Sequence, residues 1–238
     1  MAADGWNLIL VARRGEILSQ LAGDLIAKYG VKAAVITADL SKPEAAGEIV
    51  AKLADHNVKI DALINNAGFG YYGWIVEQDI EPLERMIEVN ISSLLRLTRL
   101  IVPGMKERGR GWVMNVASTA SFQAVPSSGV YAATKAFVLS FSVALSTELT
   151  GTGVSVTCLC PGVTRTGFAR VAGAKHLDTD FRGAMTAKDV AQQGYQAMIK
   201  GKQIVVTGGI NKFLALATRF APRSFAAKLA MKVMKGRR

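Results

Sequence analysis

The stretch WNLILVARR (residues 6–14) decides how the chain is read. Trp6–Ala12 is an unbroken apolar run, the pattern of a strand covered on both faces, and two arginines follow it. The few residues before it, AADG (residues 2–5), have the look of a last helical turn closing on glycine. Working outward, strand-like and helix-like segments alternate. Strands are expected at Trp6–Ala12, Val31–Thr37, Ile60–Ile64, Trp112–Ala117, Val154–Leu159 and Gln203–Thr207. Helical spacing is expected at Glu16–Tyr29, Pro43–His56, Ile80–Glu107, Gly129–Thr150 and Thr186–Lys200, with two short amphipathic helices split at Pro222. Such alternation implies parallel strands with right-handed crossovers, hence an α/β doubly wound sheet with helices on both faces. Ligands in such sheets bind beyond the carboxyl ends of the strands, so the residues just after each strand carry the information.

Composition narrows the function classes. With 50% hydrophobic and 20% charged residues over 238 positions, the chain is expected to bury a core rather than stay disordered. The net charge is +11, but Ile210–Arg238 holds eight Lys/Arg and no Asp/Glu, leaving +3 elsewhere. The basic character therefore belongs to a tail, which argues against a nucleic-acid-binding protein. No signal peptide and no apolar run long enough to span a bilayer is read from the sequence. Cys158 and Cys160 sit two apart in an apolar run and read as core residues of a reducing compartment. His56 and His176 lack metal-ligand spacing, and no metal is expected. The absence of a G-x-S-x-G turn excludes the hydrolase reading.

VYAATKAF (residues 130–137) places Tyr131 and Lys135 one helical turn apart. A phenol has a pKa of about 10, too weak an acid for efficient proton transfer near neutrality. An ammonium about 4 Å away, at an effective dielectric of about 20, supplies about 4 kcal/mol and is expected to lower it by about two units. Ser118 precedes Tyr131, just past the strand WVMNVA (residues 112–117). NNAG (Asn65–Gly68), ADL (Ala38–Leu40) and CPGVTRT (Cys160–Thr166) each follow a strand, and Asn90 lies within the long helical segment.

In this order the motifs resemble the short-chain dehydrogenase/reductase family, over nearly the whole chain. The resemblance implies a Rossmann-like single domain over residues 1–209, followed by the basic tail 210–238, and a carbonyl/alcohol oxidoreductase. It implies Tyr131 as general acid/base, Ser118 as the donor steadying the carbonyl oxygen, and Lys135 as tuner of the phenol and holder of the nicotinamide ribose. Asn90 would anchor a water that links Lys135 to solvent. For the cofactor it implies adenine contacts from Asp39 and Leu40 and adenosine-side contacts from Asn65, Ala67 and Gly68. Pro161, Gly162, Val163, Thr164 and Thr166 would meet the carboxamide, while Tyr131 and Lys135 also touch the cofactor. Arg13 and Arg14 stand where an acidic residue would accept a ribose 2′-hydroxyl; arginine there suits a 2′-phosphate, so NADP(H) is expected, with Arg13 the principal contact.

The family's first strand, its glycine-rich turn and the body of its first helix have no counterpart here. In the family order 3-2-1-4-5-6-7 the missing strand 1 is central, so Trp6–Ala12 and Ile60–Ile64 should both show bare edges. The chain is accordingly expected to be a truncated gene model or fragment, the alternative being a real short protein that pairs those edges with each other or with a partner chain. For function, the alternative is a truncated or non-catalytic chain unable to bind cofactor. Phe69, Tyr71, Tyr72, Phe122 and Val125, with a lid over Arg165–Met185, are expected to form an apolar pocket suited to a hydrophobic carbonyl or alcohol. A cytoplasmic homodimer or homotetramer is expected. The tail is expected to pack Phe213, Leu216, Phe225 and Leu229 onto the domain or a second subunit, in preference to lying on an anionic membrane as a surface scaffold.

Overall fold

The computed structural model describes residues 1–173 and 184–235, with side chains up to Lys232. The expected alternation is present. In chain order it comprises β1 (Leu8–Ala12), α1 (Gly15–Tyr29), β2 (Ala33–Thr37), α2 (Ala45–Asp55), β3 (Ala62–Asn65), α3 (Ile80–Ile87), α4 (Ser93–Glu107), β4 (Gly111–Val116) and α5 (Gly129–Glu148). There follow β5 (Val154–Cys160), β6 (Thr164–Arg165), the single turn α6 (Phe168–Val171), β7 (Met185–Thr186), α7 (Ala187–Ile199), β8 (Ile204–Val206), α8 (Gly209–Ala217) and α9 (Arg223–Lys235). Before β1, Ala2–Asp4 forms one 3₁₀ turn closed by Gly5 at φ 81°, a left-handed position that glycine takes without a Cβ penalty.

All paired strands are parallel. β1 pairs with β2, Leu8 opposite Ala33, and β3, β4, β5 and β8 form a second, four-stranded sheet in that order. The two sheets are not joined by hydrogen bonds, because β1 has a partner only on its β2 side and β3 only on its β4 side. Between them runs a cavity of about 1220 Å³, bounded by Leu8–Ala12 on one side and Ala62–Asn65 on the other. The bare edges expected from the sequence are thus present. Trp6 bridges the gap at one end: its ring meets Trp112 edge-on at 5.5 Å, and its Nε1 donates to the Tyr195 hydroxyl at 3.0 Å. Leu53, Leu97, Met105, Val113 and Val156 form the main core, and Ile9, Val11 and Ile36 of the smaller sheet pack against it.

The long helical segment expected over Ile80–Glu107 is not one regular helix. Between α3 and α4, Glu88–Ser92 is wound as a π-turn, a local widening often found at functional sites. Asn90 sits in it. α5 is long and apolar enough to cross a membrane by length and composition, contrary to the sequence reading. Its place in the fold is against the sheet, with Ala132, Thr134, Lys135, Val138 and Ser142 buried. Cys158 and Cys160 are free, fully buried core thiols, as expected.

Candidate active site

The carboxyl end of β4 and the first turns of α5 build the centre. Ser118 leaves β4 in extended backbone (φ −166°, ψ 163°) and caps a 3₁₀ turn, Thr119–Phe122. Its Oγ accepts from the Ala120 amide at 3.1 Å, while the Ser118 amide donates to Ser121 Oγ at 3.3 Å. Ser121 Oγ in turn donates to the Lys135 carbonyl at 2.8 Å. This tether locks the serine loop onto α5 at the level of the Tyr131–Lys135 turn. Ser121 was not singled out from the sequence; the reciprocal capping pair Ser118–Ser121, three residues apart, is the signal that would have found it.

Tyr131 is half-buried near the start of α5, with its hydroxyl close to the Ser118 side chain. The Lys135 Nζ lies 5.8 Å from the Tyr131 ring centre and donates to the Val116 carbonyl at 2.8 Å. The helix therefore brings Ser118, Tyr131 and Lys135 to one place, as the motif spacing implied.

The electrostatics differ from the expectation. Burial raises the Tyr131 phenol above its usual range, and the Ser118 bond offsets this only in part. No lowering comes from Lys135, whose ammonium is committed to Val116 and itself loses solvent. That desolvation brings Lys135 down to about 8, so it stays mostly charged at neutral pH. The pair is thus a half-buried phenol that keeps its proton, one helical turn from a buried cation committed to the Val116 carbonyl.

Gly68, in the loop after β3, opens onto this pair. A Cβ built there would stand 3.2 Å from Lys135 Nζ and 3.0 Å from Asn90 Oδ1. Asn90, expected to hold a water, has its side chain committed to protein: Nδ2 donates to the Phe69 carbonyl and to Thr134 Oγ1, both at 3.0 Å, and Oδ1 accepts from the Phe69 amide at 3.1 Å. It staples the loop after β3 to α5, in a positioning role.

The other sequence candidates separate into groups. Asn65 turns into the core, where Nδ2 donates to Thr98 Oγ1 at 3.2 Å and to Asn115 Oδ1 at 2.8 Å; Asn115 continues to Ser142 at 2.9 Å. Leu40, Asn65 and Ala67 border the cavity between the two sheets. Arg13 and Arg14 are exposed just past β1. Asp39 accepts from the Ser41 amide and hydroxyl at 3.0 and 2.8 Å, and these bonds, with the nearby Arg13 and Lys42 charges, hold its carboxyl below the usual range. Arg13 and Asp39 thus stand together where β1 and β2 end. Past β5, the Pro161 carbonyl accepts from the Thr119 amide at 2.8 Å, joining this loop to the Ser118 turn. A Cβ at Gly162 would overlap Asn211 Nδ2 at 2.2 Å. The Val163 carbonyl accepts from the Met185 amide, Thr164 pairs with Met185 in the β6–β7 ladder, and Thr166 caps the start of α6 through its hydroxyl.

One wall beside Tyr131 is apolar. The Phe168 ring packs on Tyr131 at 5.5 Å, and its edge would stand 3.1 Å from a Cβ at Gly70. The Tyr72 amide donates to the Ala172 carbonyl at 2.8 Å and the Gly73 amide to the Ser127 carbonyl at 2.9 Å, drawing the loop after β3 toward α6 and α5. Phe122, expected in this pocket, packs instead with Leu94, Ala117 and Val138. Of the expected lid, His176, Leu177, Phe181 and Gly183 lie outside the described residues. Among those described, no cluster of metal-ligating side chains occurs.

Comparison with known proteins agrees with this geometry. The profile of the family described as short chain dehydrogenase matches residues 1–176. Sulfoacetaldehyde reductase of Chromohalobacter salexigens is 33% identical, over 94% of this chain and 89% of that protein. A short-chain dehydrogenase from Sphingobium yanoikuyae, solved in complex with NADPH, superposes with a TM-score of 0.81 at 30% identity, over 91% of this chain and 84% of that one. A 7β-hydroxysteroid dehydrogenase gives a TM-score of 0.84 at 29% identity, over 98% and 89%.

Proposed function

From the premise that the chain belongs to the short-chain dehydrogenase family, oxidoreductases of the carbonyl/alcohol pair, we propose that it reduces an apolar ketone or aldehyde with NADP(H), using Ser118, Tyr131 and Lys135. The observation that carries this reading is the meeting of Tyr131 with Ser118 at the carboxyl end of β4, one helical turn from the buried Lys135 cation.

The residues present fit the cofactor at two ends. Gly68 leaves clear the space beside Lys135 Nζ that a Cβ would fill, so a ribose hydroxyl can approach the ammonium. Arg13, exposed beside Asp39, offers a guanidinium to a 2′-phosphate. The NADPH-bound and NADP⁺-bound family structures support the choice for the phosphorylated form. When bound, the reduced nicotinamide supplies the hydride.

This chain's residues manage the proton. Burial keeps the phenol protonated at neutral pH, so Tyr131 enters the reaction as the acid and gives its proton to the carbonyl oxygen. Ser118 Oγ steadies that oxygen as charge develops and steadies the phenolate afterwards. Lys135, held by Val116 and charged below about pH 8, stands beside the space that Gly68 leaves clear, where its ammonium can meet a ribose hydroxyl. Phe168 turns an aromatic face to the same space, which favours a carbonyl bearing apolar substituents. Homodimeric or homotetrameric assembly and a cytoplasmic setting form part of the same proposal.

A panel of aromatic, steroidal and short polar ketones, assayed with NADPH and NADH, tests the reading. Turnover of the apolar members with NADPH, abolished in Tyr131→Phe, is the expected outcome; preference for the polar members overturns the substrate class. The divided sheet favours one second reading, a chain that keeps the site residues without holding cofactor. Titration with NADPH followed by nicotinamide fluorescence separates the two, since absent binding supports the second.

A further inference from the structure

The tail touches the body with one side of each helix, but not through the residues expected to pack: Phe213, Leu216, Phe225 and Leu229 are all more than half exposed. α8 is held by Asn211, whose Nδ2 donates to the Thr207 carbonyl at 2.8 Å, and by half-buried Ala215 and Thr218. The rest of the helix surface exposes Ile210, Phe213, Leu214, Leu216 and Ala217, and Phe220 follows at the next turn. Ile210 is 74% exposed, Phe213 71% and Phe220 84%. α9 turns Ala226 inward and leaves Phe225 and Leu229 exposed, flanked by Lys228 and Lys232.

Charge identifies what covers this surface. No Asp or Glu follows Asp189, whereas Lys212, Arg219, Arg223, Lys228 and Lys232 are interspersed in sequence with the apolar side chains. A second copy docking face to face would bring two uniformly positive surfaces together, because a two-fold contact pairs the same patch with itself. An anionic bilayer offers both complements at once: acyl chains for the phenylalanines and headgroup charge for the lysines. We propose that α8 and α9 form a docking surface for anionic lipid membranes, laying Phe213, Phe220 and Phe225 into the interface with the lysines and arginines at headgroup level. The proposal uses none of Ser118, Tyr131 and Lys135, so it stands independently of the reaction.

Sedimentation of the full chain with vesicles tests it, using phosphatidylcholine alone and phosphatidylcholine mixed with phosphatidylserine, at low and high salt. The expected result is binding to the mixed vesicles that high salt releases. Each cation near an anionic surface strengthens binding about fivefold, so Lys212→Glu, Arg219→Glu and Lys228→Glu combined should weaken it about a hundredfold or more. Phe213→Ser with Phe220→Ser should weaken it about tenfold or more at low salt. Equal binding to both vesicle types, or none to either, overturns the proposal. So does a chain that ignores vesicles but elutes as a dimer which the Phe213→Ser/Phe220→Ser change splits. The salt and lipid dependence of the unaltered chain is decisive even where a variant fails to fold.

Discussion

Gly68 and Lys135 meet so closely that a single methyl group on Gly68 would stand 3.2 Å from the Lys135 nitrogen. The contact couples the loop after β3 to α5, and it turns a small residue in a common turn sequence into a constraint on the candidate chemistry.

Gly68→Ala therefore tests the site without removing any polar group. The added methyl pushes against Lys135 and Asn90 together. We expect kcat/KM for carbonyl reduction to fall about tenfold or more, a loss of about 1.4 kcal/mol of transition-state stabilisation. Thermal unfolding should change by less than that equivalent. Unaltered kinetics would show that the space beside Lys135 is not used.

Tyr131→Phe removes the phenolic oxygen but keeps the ring that packs on Phe168. Stability should hold within about 1 kcal/mol, while turnover falls by at least the factor of about 10²–10⁴ usual for a lost general acid. Ser118→Ala should lose about 10²–10³, with the cap to Ala120 also gone. Steady-state assays alongside urea unfolding measure both.

Lys135 is charged at a buried position, with a folded pKa of about 8 against 10.5 in the unfolded chain. Below about pH 8 both states bind the proton and the desolvation penalty is fully felt. Between about 8 and 10.5 the unfolded chain binds more protons than the native one, so stability rises with pH; above that range the penalty is gone. The stability difference between the natural chain and Lys135→Met should therefore move in favour of the natural chain by a few kcal/mol across that window. Urea unfolding at several pH values checks it, and a flat difference would mean that Lys135 is solvated.

Arg13→Ala should weaken NADPH binding about ten- to a hundredfold and leave NADH binding unchanged, with Arg14→Ala having the smaller effect. Fluorescence titration with the two nucleotides reads this directly. Equal losses for both would assign Arg13 to general charge rather than to a 2′-phosphate.

The fold was legible because doubly covered strands leave continuous apolar runs: LILVA, AAVIT and VSVTCLC became β1, β2 and β5. The triad was legible because helix periodicity brings Tyr131 over Lys135, and a strand end brings Ser118 to meet them. Three things were hidden. The π-turn at Asn90 depends on the loop it grips, and periodicity does not encode that grip. The bonds of Asn65 to Thr98 and Asn115 span distant segments, which local spacing does not encode. The direction of the Tyr131 shift followed burial, a property of the assembled pocket that spacing alone does not supply.

The divided sheet has a consequence for how the molecule opens. The β1–α1–β2 layer holds the rest through side-chain packing and the Trp6 bridge, without a main-chain ladder to β3. Packing without shared hydrogen bonds makes that layer a separate cooperative unit, free to detach while the four-stranded sheet stays intact. Amide deuteration should therefore sweep through Leu8–Thr37 together, well ahead of Val113 and Val156.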